Sequence, residues 1–115
     1  MAQFVWEVNL EHGMPSADEA LRRLEAELAA SRRMNRTVVK LIHGYGSSGR
    51  GGRIRTACRK RLRQAQQDGQ VQAVIPGEDF SIFNEQTRQA FRRCDALRQD
   101  RDLDRHNLGI TFAVF

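Results

Sequence analysis

Leu41-Ile42-His43-Gly44-Tyr45-Gly46-Ser47-Ser48-Gly49-Arg50-Gly51-Gly52-Arg53 carries an apolar strand into a glycine-rich turn and on into a helix studded with arginine. Glycine lacks the side chain that would hold a ligand away, so several amide N–H groups in such a turn can converge on an anion. The helix that follows adds its own unpaired N–H groups and the positive end of its dipole. Arg50, Arg53 and Arg55 add formal charge. The stretch reads as a phosphate-binding corner with His43, Gly44, Gly46, Gly49, Arg50 and Arg53 at its centre.

The strand that feeds this turn spans Thr37 to Ile42, β-branched and mostly apolar. Beyond the turn, Ile54, Cys58, Leu62 and Ala65 recur at helical spacing, which leaves Arg53, Arg59, Lys60 and Arg63 on the outward face. Upstream, Phe4, Trp6, Val8 and Leu10 alternate as a first strand. Pro15 stops it, and Ser16 with Glu19 forms a capping-box pattern for a helix to about Arg33 with Ala17, Leu21, Leu24 and Leu28 in one stripe. Downstream, Val71 to Ile75 reads as a third strand closed by Pro76-Gly77. Phe83, Thr87, Ala90, Phe91, Cys94 and Leu97 then predict a helix of about three or four turns by the same periodicity. After a charged loop, Ile110 to Phe115 closes the chain as a strand. The order β-α-β-α-β-α-β implies an α/β fold on a largely parallel sheet. Ligands gather at the carboxyl ends of such strands, where Glu11, His12 and Gly13 would lie beside His43 to Gly52.

A chain of 115 residues is sized for one domain, 1–115. No apolar run approaches the ~20 residues of a membrane span, and no signal-peptide pattern opens the chain, so a cytoplasmic monomer with no membrane contact is expected. Cys58 and Cys94 fall on apolar helix faces and read as core residues. The net charge of +5 is unevenly spread. From Leu28 through Gln67 every charged residue is basic: Arg32, Arg33, Arg36, Lys40, Arg50, Arg53, Arg55, Arg59, Lys60, Arg61 and Arg63. Such a run can be a plain solvated face, but beside a glycine turn it favours a polyanionic partner, and Arg suits bidentate phosphate contacts.

The chain resembles the Smr (small MutS-related) domain family. The likeness rests on Val8-Asn9-Leu10 in the first strand, Glu19-Ala20-Leu21 at the start of the first helix, His43-Gly44-Tyr45-Gly46 after the second strand, and Gly109 before the last. It implies a small two-layer α/β sandwich with a four-stranded mixed, mostly parallel sheet, like the C-terminal domain of a bacterial translation initiation factor. It also implies binding of DNA or RNA, with nicking endonuclease activity in several members. The family's Leu-Asp-Leu-His-Gly motif is altered here to Val8-Asn9-Leu10-Glu11-His12-Gly13. A one-residue shift along a strand turns a side chain to the other face. Either a bulge returns His12 to the motif's position or Glu11 occupies it.

For cleavage chemistry the candidates are His43, His12 and Glu11 as acid–base groups, with Arg50 or Arg53 on the phosphate. His43 has a second reading, a structural histidine that fixes the turn through backbone bonds. Tyr45 could stack on a base or simply pack. Nucleic-acid contacts are assigned to His43, Gly44, Tyr45, Gly46, Gly49, Arg50, Arg53, Arg55, Arg59 and Lys60. Glu11, His12 and His43 lack a recognisable metal-ligand spacing, so no tightly bound metal or other cofactor is expected, Mg²⁺ entering only alongside a nuclease. Two other functions compete. A nucleotide-hydrolysing enzyme would need a Lys-Ser/Thr pair where Arg50-Gly51 stands. A protein-interaction module using the third helix would keep its affinity at high salt, whereas phosphate binding falls as counterions are released.

Overall fold

In the computed structural model, which describes residues 4–45 and 51–115, strands and helices alternate in the expected order. They are β1 (Val5–Asn9), α1 (Ala17–Arg33), β2 (Val38–Ile42), α2 (Gly51–Gln67), β3 (Ala73–Pro76), α3 (Glu85–Arg93) and β4 (Ile110–Val114). Gly46, Gly49 and Arg50 of the proposed phosphate corner lie outside the described residues.

The strands form one mixed sheet in the order β1-β2-β4-β3. β1 pairs parallel with β2, while β4 runs antiparallel to both β2 and β3. β1, β2 and β3 therefore point the same way. Their carboxyl ends and the amino end of β4 share one edge of the sheet, and that edge carries the His43 turn.

One face of the sheet is covered by α1 and α2. The Ser16 side chain caps α1 by accepting from the Glu19 amide at 3.2 Å. Leu24 and Leu28 of α1 and Ile54, Cys58, Leu62 and Ala65 of α2 pack with Val39, Leu41 and Ala113 in one core cluster. The inward stripe of α2 is the one its periodicity predicts. Burial pushes the Cys58 thiol up to about 12, which fits a core cysteine.

The opposite face carries a second cluster in which Phe80, Ala90, Phe91, Cys94 and Leu97 meet Val38, Ile75, Ile110, Phe112 and Val114. The long helix expected here is shorter. Asn84 caps α3 by accepting from the Thr87 amide at 2.9 Å, and Cys94, extended at φ −146°, ends it. A 3-10 turn over Asp95–Gln99 then carries Leu97 inward, so apolar spacing continues across a break in the helix. Phe83 precedes the cap and is 83 % exposed, so it does not belong to the buried stripe.

Candidate functional site

The site begins where β2 ends. His43 and Gly44 both donate their backbone N–H groups to the carbonyl of Gly109, at 2.9 and 3.0 Å. These two amides are therefore turned into the protein and are not presented to an anion. Gly44 takes φ +73°, and a Cβ there would collide with the Glu11 carboxylate. Gly109 lies on its other side, its own Cβ position 3.4 Å from the Gly44 Cα. Glycine at 44 is thus favoured by its left-handed backbone, while the Glu11 carboxylate is the free end of a flexible side chain that can move aside.

His43 is fully buried, with both ring nitrogens engaged. Nδ1 lies 2.7 Å from the Gly44 carbonyl and Nε2 lies 2.8 Å from the Thr111 Oγ1. A carbonyl can only accept, so Nδ1 carries the proton and Nε2 accepts from the threonine hydroxyl. Thr111 can make that donation because its oxygen accepts at 3.0 Å from Arg59 Nε, which can only donate. The chain of bonds runs from Arg59 through Thr111 and His43 to the turn, with each hydrogen used once. Burial pushes the His43 pKa down to about 4, and the charges of Arg59 and Arg55 add to the fall, against the raising effects of the Gly44 bond and Glu78. At neutral pH the ring is neutral and enclosed. Of its two readings the hydrogen bonding matches the turn-fixing one, since both ring nitrogens are spent on the turn and on Thr111.

Arg59 is not on the outward face, contrary to the expectation from helical spacing. It is 9 % exposed, donates to the Ile110 carbonyl at 3.1 Å, and grips both carboxylate oxygens of Glu78, at 2.6 and 2.8 Å. This hydrogen bonding, outweighing burial, holds the Glu78 carboxyl below its ordinary range. Arg55 also leans on Glu78, at 3.3 Å, and donates to the Leu108 carbonyl. Both arginines assemble the site from behind.

Other members of the basic run are consumed in the same way. Lys40 is 1 % exposed in the centre of β2, with its Nζ 2.9 Å from Asp100 and 2.6 Å from Asp102. Asp102 accepts from Asn107 Nδ2, whose Oδ1 accepts from the Gly109 amide, so the buried lysine secures the loop that clamps the His43 turn. Arg36 pairs with Glu27 and lies 3.8 Å above the Trp6 ring, and Arg61 pairs with Glu25. In contrast, Arg53, Lys60 and Arg63 on α2 are exposed and form no ion pair among the described residues. At 100° per residue they fall within about 80° of one another around the helix.

Glu11, not His12, adjoins the glycine turn. β1 ends at Asn9, whose side chain accepts from the Glu11 amide at 2.9 Å, and the chain turns through residues 10–13. His12 is exposed, and its carbonyl is held by Arg23. No bulge carries it back to the motif's position. Tyr45 is 57 % exposed at the rim. Among the described residues no group of three or more His, Cys, Asp or Glu could hold a metal ion.

Thr111, Glu78 and Lys40 were not among the candidate site residues, although two left a signal in the sequence. Thr111 is a lone hydroxyl in the apolar Ile110–Val114 strand, and Lys40 a lone charge in Val38–Ile42. A polar group in the middle of a buried strand must find a partner, and both partners lie far along the chain.

The crossed sheet, the His43-Gly44-Tyr45 turn and its basic flank define an Smr-type module. The sequence matches the Smr domain family over residues 11–81, and the chain belongs to that family, which is associated with nucleic-acid binding and endonuclease activity. No curated protein matches it by sequence. Among solved structures it resembles the Smr domain of Thermus thermophilus MutS2, at 20 % identity and a TM-score of 0.56 over 95 % of both chains. At that identity the likeness concerns the fold. No helix among the described residues is long and apolar enough to cross a membrane.

Proposed function

We propose that this chain binds DNA or RNA through the phosphate backbone, along the outer face of α2 and the edge of the sheet where α2 begins. The observation that carries this reading is the sorting of the cations. Arg36, Lys40, Arg55, Arg59 and Arg61 are matched to carboxylates; of the exposed cations outside any ion pair among the described residues of this run, Arg32 and Arg33 end α1, while Arg53, Lys60 and Arg63 share a strip of a helix that contains no acidic residue. An unmatched basic strip attracts a polyanion and reads no sequence, because phosphates are alike at every step. Arg50 belongs to the same proposal from its position in sequence. We assign any strand cleavage at this edge to Glu11 or His12, because the His43 ring is buried with both nitrogens engaged.

The test is binding of labelled single-stranded RNA, duplex DNA and branched DNA across a salt series, with cleavage read in the same samples with and without Mg²⁺. Replacing Arg53, Lys60 and Arg63 by alanine should weaken binding to every sequence alike and reduce the salt slope by about two to three, close to one per phosphate contact. Unchanged affinity and slope would remove α2 from the interface. Affinity that survives high salt would instead favour the protein-interaction module.

A further inference from the structure

The edge of the sheet opposite the His43 turn holds a cavity of about 280 Å³. It opens where the end of α1, the residue before β2, the α2–β3 loop, the end of α3 and the residue after β4 converge. β2 and β4 meet there through the Val38–Val114 pair, and the Phe115 amide donates to the Thr37 carbonyl at 2.8 Å. Arg32, Arg36 and Arg93 all line this one cavity, and none of its lining residues among those described is acidic. None of Arg53, Lys60 and Arg63 lines it.

The three arginines differ in how far they are committed. The Arg36 guanidinium lies 3.8 Å above the Trp6 ring, and its Nη1 donates to Glu27 at 2.9 Å and to Ser31 Oγ at 3.2 Å. It forms a fixed wall. Arg93 is exposed, and its Nη2 donates to the Phe115 carbonyl, which ties the side chain to the cavity and uses one of its five N–H donors. Arg32 is exposed and has no ion pair or side-chain hydrogen bond among the described residues. Cations in the last turns of α1 and α3 balance the helix dipoles. Each dipole end carries about half a charge, so the two helices answer about one of the two charges on Arg32 and Arg93.

The other polar groups are also turned toward donation. Arg61 Nη2 donates to Gln70 Oε1 at 3.3 Å, which leaves Nε2 as the free end of an amide that lines the cavity. Ser31 Oγ accepts from Arg36, which leaves its hydrogen to donate. A carboxylate offers two oxygens in one plane. A phosphate offers more, set in a tetrahedron, and so suits donors that converge from separate elements, with guanidinium forks as its strongest partners.

We propose that this cavity is a binding site for a phosphate group, with Arg32 and Arg93 supplying the charge and Gln70 a neutral donor. The shared chemistry is the phosphate oxyanion, whether free, on a nucleotide or on nucleic acid. The site is independent of the α2 strip.

Nitrogen-15 NMR tests it by following the Thr37, Gln70 and Phe115 amides and the Arg32 and Arg93 Nε groups. The probes are sodium phosphate, adenosine monophosphate, and trithymidylate with and without a 5′-phosphate, at constant ionic strength with sodium acetate as the control anion. Phosphate should shift these resonances saturably, and acetate should not. Arg32→Gln/Arg93→Gln should weaken phosphate binding about 5- to 30-fold, the combined effect of two solvent-exposed charge pairs. Both residues are exposed, and glutamine at 93 can still donate to Phe115, so far-ultraviolet circular dichroism should be unchanged. Arg53→Ala/Lys60→Ala/Arg63→Ala should bind phosphate within about twofold of wild type. Shifts with phosphate and adenosine monophosphate alone identify a small phosphate as the ligand. Shifts that extend only to the 5′-phosphorylated trinucleotide identify a nucleic-acid end, and shifts with both trinucleotides identify the backbone. No saturable shift, equal shifts with acetate, or undiminished binding by Arg32→Gln/Arg93→Gln overturns the site. That failure leaves the α2 reading standing, and loss of the α2 reading leaves the cavity.

Discussion

Protonating His43 should unfold the chain before it activates anything. In the folded state the ring is enclosed, donates from Nδ1 to the Gly44 carbonyl and accepts at Nε2 from Thr111, and its pKa is pushed down to about 4 from the ordinary 6.5. A second ring proton would face an oxygen that already accepts from Arg59, leaving the Thr111 hydroxyl hydrogen without a partner. The sign follows from proton counting. With the folded pKa below the unfolded one, the unfolded chain binds more protons between those values, so stability falls as pH drops through that window. Between about pH 7 and pH 5 this single group removes about 2 kcal/mol, a large part of a small domain's margin. Urea unfolding at both pH values reads that loss directly. His43→Asn, which can still donate an N–H to Gly44 but does not titrate, should be less stable at neutral pH by about 1–2 kcal/mol and should lose most of the pH slope. Nitrogen NMR of the wild-type ring should show the Nδ1–H tautomer throughout. A ring that titrates near 6.5, or a variant that keeps the full slope, would refute the enclosed bond chain and return His43 to the acid–base candidates.

Gly44→Ala forces a Cβ into a left-handed backbone, so chemical denaturation should show a loss of about 1–2 kcal/mol from backbone conformation, with the flexible Glu11 carboxylate swinging aside at little further cost. Adding Glu11→Ala should therefore recover little of the loss. Lys40→Met leaves Asp100 and Asp102 without their shared cation and should cost about 3–5 kcal/mol, partly recovered by Asp102→Asn, as read by thermal and urea unfolding. Burial pushes the Asp102 carboxyl up, but hydrogen bonds from Lys40 and Asn107, with the charges of Lys40 and Arg101, pull it below its ordinary value. Its contribution is accordingly present at neutral pH and vanishes as acid carries the folded group through that lowered value. Arg59→Met strips donors from Thr111, Ile110 and Glu78 at once and should cost a similar amount, with Arg59→Met/Glu78→Leu closer to wild type by the same denaturation assay.

Periodicity and capping residues carried α1, α2 and the order of elements, because each is a local property of a few neighbouring side chains. The inward line Ile54, Cys58, Leu62, Ala65 could be read directly from spacing. Arg59 could not. It follows Cys58 around the helix, and its burial comes from Glu78, Ile110 and Thr111, which arrive only when the sheet assembles. The same limit applies to His43, whose partner Thr111 lies 68 residues away. Glycine composition marked the turn correctly as a place of close backbone approach. At Gly44 the approaching groups are Glu11 and Gly109 of the same chain, and no sequence pattern distinguishes that from room left for a ligand.

The position of β4 also has a bearing on the order of folding. All five of its residues are buried between β2 and β3, and its register joins Val38 to Val114 across most of the chain. Until residues 110–114 are present, β3 has no partner strand and β2 is paired on one side only. Closing a loop of that length is entropically slow, and folds dominated by distant pairings form late. A ribosome making this chain would hold a helix-rich, half-paired intermediate, with the β2 and β3 edges that β4 covers still open, until residues 110–114 clear the exit tunnel, and the Gly109 clamp on the His43 turn would form in that same step.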